Sequence, residues 1–232
     1  MKLLAFETST EACSVAVWND GGLHERFEIA PRRHAALALP WAPALLDEAG
    51  VARAQLAAVA VGRGPGAFTG VRLGIALAQG IALALDLPML PVSTLAALAM
   101  RDDGPGLVLA AIDARMGEVY AGTFERTDGG VRALGAESVS APDAVMLPAN
   151  GDAWQGVGTG FAAVDGALQA HLGPRLAGVN AAALPRAGDV ARLAAQAYGR
   201  GELVAPERVE PAYLRNNVAL TLEQQQALRA AR

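Results

Sequence analysis

Gly62 to Gly74, GRGPGAFTGVRLG, carries the densest chemistry-bearing spacing in the chain. Glycines at 62, 64 and 66 lie between a short apolar strand pattern and a long apolar helix pattern, and a residue without Cβ lets backbone turn sharply and pass close to a bulky neighbour. Thr69 is placed to cap the helix that follows, whose free N–H groups make a candidate anion cradle. The same pattern also fits a tight strand-to-helix turn that holds no ligand. Two carboxylates join the loop as candidates. Glu7, with Thr8 beside it, ends the first strand pattern, and Asp113 ends a corresponding strand in the second half. Turn amides bind phosphate oxygens and strand-tip carboxylates hold hydrated magnesium, so Glu7, Thr8, Gly64, Gly66, Thr69 and Asp113 form a nucleotide-like set.

Other residues carry less. Cys13 is the single cysteine and lies in the apolar run ACSVAV with no basic neighbour, which reads as a buried core thiol. His24, His34 and His171 lie far apart. His34 opens a helix, where it can cap, pack or touch a partner. There is no Walker A sequence, no HExxH and no GxSxG. GRGPGA fits the G-x-G-x-x-A form of a dinucleotide fingerprint, but the required acid is missing: Asp86, about 20 residues on, falls at a helix end rather than a strand end.

The elements that must position these residues repeat in plan. Lys2–Glu7, Ala12–Trp18 and Leu23–Ile29 read as a three-stranded antiparallel meander turned by Asn19-Asp20-Gly21-Gly22. His34–Ala49 reads as a helix despite Pro40 and Pro43, which predict a kink or a delayed start. Ala57–Gly62 is a buried strand, Thr69–Leu85 a helix, Met89–Val92 a strand, and Ser93 caps a helix through Met100. After the turn-rich RDDGPG at 101–106 the plan restarts with Leu107–Ile112, Val119–Phe124 and Val131–Val139, and GVGTGF at 156–161 echoes the first glycine loop. The predicted fold is α/β, two-lobed and duplicated in the manner of the actin and sugar-kinase (ASKHA) superfamily, with mixed sheets. Residues 1–103 form the first lobe and 104–232 the second, and the tail Glu223–Arg232 either packs back on the first lobe or stays loose.

With 232 residues, 53% hydrophobic and 18% charged, the chain can bury a substantial core. Its net charge of −4 supplies no global basic field for nucleic acid. No run reads as a signal peptide or a membrane span, and the expected setting is cytoplasmic.

Several segments together are specific. LAFETSTEACSVAV at 4–17, Arg33-His34, GRGPGAFTGVRLG at 62–74, VSTLAAL at 92–98, IDARMGEVY at 112–120 and PAYLR at 211–215 occur in this order, and on them the chain resembles the TsaB (YeaZ) family. That family partners the threonylcarbamoyl transferase TsaD, which modifies the adenosine beside the anticodon of certain tRNAs. The resemblance implies a non-catalytic scaffold or activator that binds a TsaD homologue as a heterodimer and meets a TsaE-type ATPase. It also implies tRNA contact only through the complex and a homodimer when the chain is isolated. No cofactor is expected to be held firmly, ATP or ADP being placed at the joint with TsaD. In the transferase the helix after the glycine-loop unit carries an HxxxH metal motif; here Thr94 and Leu98 fall on those two positions, and leucine ligates nothing. The helices beginning at His34 and Thr69 carry more aliphatic residues than one buried face needs, so His34, Leu37, Trp41, Leu45, Arg72, Leu73 and Leu77 are the expected partner-binding set. A helix buried on all sides would show the same pattern. The rival reading is a catalytically active, nucleotide-dependent transferase or kinase.

Overall fold

A computed structural model describes residues 1–102, 104, 106–149 and 153–215. The first sheet opens with β1 (Lys2–Glu7), β2 (Ala12–Asn19) and β3 (Gly22–Ile29), antiparallel, with Leu4 opposite Val17 and Glu7 opposite Ser14. The connection from β2 to β3 works because Asp20 and Gly21 both take positive φ, 49° and 103°. α1 (His34–Glu48), β4 (Ala58–Gly62), α2 (Phe68–Ala84) and β5 (Met89–Val92) follow, and β4 and β5 add in parallel to give the order β3-β2-β1-β4-β5. β1 is apolar almost throughout because both its faces are covered. Leu4 and Phe6 pack with α1 and α2, while Leu3 and Ala5 pack against the opposite layer.

α3 (Thr94–Ala99) leads to the second sheet, and Ser93 caps it by accepting a hydrogen bond from the Ala96 amide at 3.1 Å. That sheet comprises β6 (Gly106–Arg115), β7 (Glu118–Thr127), β8 (Gly130–Ala133), β9 (Ser138–Ser140), β10 (Trp154–Val157) and β11 (Leu176–Asn180), with α4 (Ala167–Leu172) between the last two. The order is β11-β10-β6-β7-β8, and β9 also pairs with β7. α5 (Ala187–Gly199) comes next.

Three expectations need correction. The third strand of the second half, Val131–Val139, divides into β8 and β9, both pairing with β7 at different ends. Pro40 and Pro43 do not interrupt α1, since the i−4 carbonyls they leave without donors belong to Ala36 and Leu39 on the exposed side, where water can serve them. Thr69 does not cap α2: the helix begins one residue earlier, Ala67 stands at the cap without a side-chain bond, and Thr69 is exposed in the first turn. The change of sheet falls between Val92, where β5 ends, and Gly106, where β6 begins, and the elements after it do not all stay with the second sheet. Ala187, Val190, Ala191 and Ala194 of α5 pack on the back of the first sheet with Leu3, Ala5, Ala58 and Ala60, and Val209 lies in the core beneath α1 and α2. α3 divides its faces, Ala97 toward the first sheet and Leu95 and Leu98 toward the second. The tail Glu223–Arg232 lies outside the described residues.

Candidate functional site

The glycine loop is packed by the chain itself. Gly64 takes φ +94°, which a residue with Cβ rarely adopts, and starts the turn. A Cβ on Gly66 would stand 2.4 Å from the Ser9 carbonyl oxygen and one on Gly70 would stand 2.1 Å from that of Thr8, so the β1–β2 turn sits directly on the loop. The bonding agrees with this close approach. The Ala67 amide donates to the Ser9 carbonyl at 2.7 Å, the Thr8 hydroxyl donates to the Gly70 carbonyl at 2.8 Å, and the Gly64 amide donates to the Thr94 hydroxyl at 3.1 Å. Two amides of the loop, those of Gly64 and Ala67, therefore already hold protein oxygens.

Glu7 is enclosed in this knot. It accepts from the Ser9 amide at 2.7 Å and from the Thr94 hydroxyl at 3.2 Å, and the missing Cβ of Gly62 leaves the space its carboxylate fills. Burial pushes the Glu7 carboxyl above the ordinary carboxylate range, against the opposing pull of those hydrogen bonds. Thr94 thus ties Glu7 to the glycine loop, and Leu98 lies fully buried among Leu95, Val108, Ala110 and Phe124. Thr94 and Leu98 both serve the internal packing here. Among the described residues no cluster of three or more His, Cys, Asp or Glu could hold a metal ion.

A cleft of about 730 Å³ lies where the strand tips of the two sheets meet. Thr10, Gly66, Asp113 and Thr159 line it, whereas Glu7 does not. The structure therefore separates the two acids that sequence position pairs. Asp113 is partly exposed, accepts from the Arg115 amide at 2.7 Å and pairs with its guanidinium at 2.8 Å, while its own amide donates to the Thr159 hydroxyl at 3.2 Å. His34 joins the rim. Its Nε2 lies 2.9 Å from the Thr10 carbonyl, an acceptor, so that nitrogen donates and pins the start of α1 to the β1–β2 turn. Cys13 is wholly buried and its thiol is pushed up to about 11, chiefly by burial and then by the charge of Glu28, so it stays protonated at neutral pH.

The expected partner set disperses over α1 and α2. Leu45 is 1% exposed and belongs to the core, which withdraws it from any outward face. Leu37, Trp41 and Leu77 are half-buried against that core, and Leu73 and Arg72 are half-buried as well. The large apolar side chains of these helices that project are Leu39, 50% exposed, Phe68 at the start of α2, 67% exposed, and Leu83, 61% exposed, and an apolar groove of about 270 Å³ runs between the helices beside Leu39, Pro43, Ile81 and Leu85.

Residues that spacing did not single out complete the cleft. The segment after Val209 crosses between the sheets: the Ala212 amide donates to the Arg63 carbonyl at 2.8 Å, Arg72 donates to the Tyr213 hydroxyl, and Arg215 donates to the Ala114 carbonyl at 3.2 Å and pairs with Glu118. Their only signal in the sequence is the short run PAYLR, which holds aromatic and cationic residues far from every other motif.

Residues 19–222 match the family described as TsaD, tRNA N6-adenosine threonylcarbamoyltransferase. YeaZ from Pseudomonas aeruginosa superposes with a TM-score of 0.85 at 46% identity, covering 92% of this chain and 99% of that one. The tRNA threonylcarbamoyladenosine biosynthesis protein TsaB of Escherichia coli (strain K12) is 45% identical over 227 residues, 94% of this chain and 96% of that protein. The chain belongs to the TsaB (YeaZ) family. A TsaB from Haemophilus influenzae is 38% identical over 230 residues, with 94% and 95% coverage. In this TsaB-family chain the two mixed sheets and the TsaD-like match agree with the two-lobed ASKHA-like plan. No helix among its described residues is long and apolar enough to cross a membrane.

Proposed function

We propose that the chain serves tRNA threonylcarbamoyladenosine biosynthesis as a non-catalytic subunit that binds a TsaD-type transferase and holds it in its working arrangement. The observation that carries this reading is the use of Thr94 and Leu98 for internal packing at the positions where the transferase motif has histidines. Without a nitrogen pair on that helix face the fold keeps its shape but has no metal-binding pair there. Leu39 and the groove it lines between α1 and α2 give the docking face, and Leu83 of α2, projecting outside the groove lining, is a second candidate contact; Leu37, Trp41, Leu73 and Leu77 are partly buried members of the same two helices, and His34 and Arg72 line the separate cleft.

Because one apolar face cannot serve two partners, the isolated chain forms a homodimer through α1 and α2 that the transferase displaces. Two amides of the glycine loop, those of Gly64 and Ala67, are occupied by Thr94 and Ser9, which supports placing ATP or ADP at the joint with the transferase, where a TsaE-type ATPase would also engage. The setting is cytoplasmic.

Leu39→Arg and Leu83→Glu are expected to abolish co-purification with the TsaD-type partner while the melting temperature stays within about 2 °C of the parent, since surface changes away from packed sites cost little. Intact complex in both variants would overturn the docking face. Magnesium-dependent ATP binding by the isolated chain, read by isothermal titration, would favour an active transferase or kinase instead.

A further inference from the structure

The cleft mouth combines features that neither the core nor the α1–α2 face explains. Arg32, Arg72, Arg115 and Arg215 line it against the two acids Glu11 and Asp113, a positive concentration in a chain whose net charge is −4. Phe68 and Tyr213, 67% and 58% exposed, stand on either side of Arg72, whose guanidinium carbon lies 3.2 Å and 5.0 Å from their ring centroids. Rings in contact with a guanidinium present a rigid flat surface at small entropic cost. Arg32 and Arg115 sit on backbone with φ of +68° and +62°, a region that residues with Cβ seldom occupy. Only some of the positive charge is internally matched: Arg115 pairs with Asp113 and Arg215 with Glu118, while Arg32 and Arg72 form no ion pair among the described residues.

We propose that the mouth of this cleft binds a single-stranded stretch of RNA, with Tyr213 and Phe68 as stacking faces and Arg32, Arg72 and Arg115 as phosphate contacts. Bases freed from a duplex stack on aromatic rings and guanidinium planes, and arginine pairs with phosphate in a bidentate fork. A protein partner would find the same aromatic and arginine content useful, but the local excess of cations over acids is complementary to a polyanion. The site deepens the reading of the chain as a tRNA-modification subunit and rests on it for the identity of the RNA. Contact here adds to RNA affinity when the transferase is bound and leaves the α1–α2 face free.

The test measures fluorescence anisotropy of a labelled tRNA transcript, and separately of labelled ATP, with the isolated chain and with its complex with a TsaD-type transferase. Tyr213→Ala is expected to weaken RNA binding by the complex about tenfold, Tyr213→Trp to restore it, and the double change Arg32→Gln, Arg115→Gln to weaken it while lowering the slope of log affinity against log salt by about 1 to 2. Thermal melting of each variant controls for folding, and 4-thiouridine crosslinks from the RNA are expected at Phe68 or Tyr213. Unchanged RNA affinity in all variants, losses confined to the ATP probe, or losses confined to affinity for the transferase would each overturn the proposal. Co-purification with the transferase is scored in parallel: complex retained with RNA affinity unaltered fails this site alone, whereas loss of complex in the Leu39 variant bears on the scaffold reading.

Discussion

Glu7 marks where a carboxylate has become part of the interior. Its folded pKa lies above the unfolded value, so the folded state binds more protons in the window between the two, and stability falls as pH rises through the folded pKa. Glu7→Gln keeps the shape and removes this titration. Relative to the parent it is expected to be more stable at pH 8, with the gap closing as pH falls toward 5; a gap independent of pH in urea unfolding would contradict the raised pKa. The glycines around it are equally constrained. Gly66→Ala and Gly70→Ala each drive a methyl into a backbone oxygen that cannot rotate away, and each is expected to cost about 1–3 kcal/mol or more in urea unfolding. Sequence spacing pointed to Gly62 and Gly66 as places of close approach, and did not single out Gly70. It did not show what approaches them, because a phosphate and the chain's own Thr8–Ser9 turn make the same demand for a missing Cβ and a free amide.

Helix α1 shows how much of an element's orientation the pattern of aliphatic residues conveys. Its extent was legible from His34 onward, and its burial was not, since leucines surround the axis and periodicity leaves both a docked and an enclosed helix open. The structure resolves this residue by residue: Leu45 is inside and Leu39 is outside. The two positions should therefore respond in opposite ways. Leu45→Ala is expected to cost about 2–5 kcal/mol of stability and to leave partner affinity in the surviving folded protein nearly intact. Leu39→Arg should do the reverse, and equal effects on both readouts at both positions would remove the distinction. The strands were read more accurately than the helices' faces because two-sided burial leaves continuous apolar runs. The break between β8 and β9 escaped notice, as Val131–Val139 contains no strong turn residue except Gly135.

Across the whole molecule the duplicated plan was visible in the sequence, and the exchange of helices between its halves was not. Nothing in the composition of residues 187–199 says which sheet they cover; only the match of Val190 and Ala191 to the small residues Ala5, Ala58 and Ala60 decides it. Since α5 completes the first sheet and α3 touches both, the lobes should unfold together. Ala191→Glu, which puts an unpaired charge into that layer, is expected to lower the melting temperature of a single transition whose calorimetric and van't Hoff enthalpies stay equal. Two separable transitions would show that the lobes are independent. The crossing of α5 also bears on how the protein is made. The first sheet is complete at Val92, yet its back surface, with Leu3, Ala5, Ala16 and Leu90, receives its cover only when Ala187 onward has been synthesised, about a hundred residues later. At about 5–20 residues per second the ribosome needs roughly 5–20 s to deliver it, and during that interval a nascent chain presents a broad apolar sheet face to the cell. Early synthesis, rather than the finished fold, is where this protein is expected to depend on chaperones.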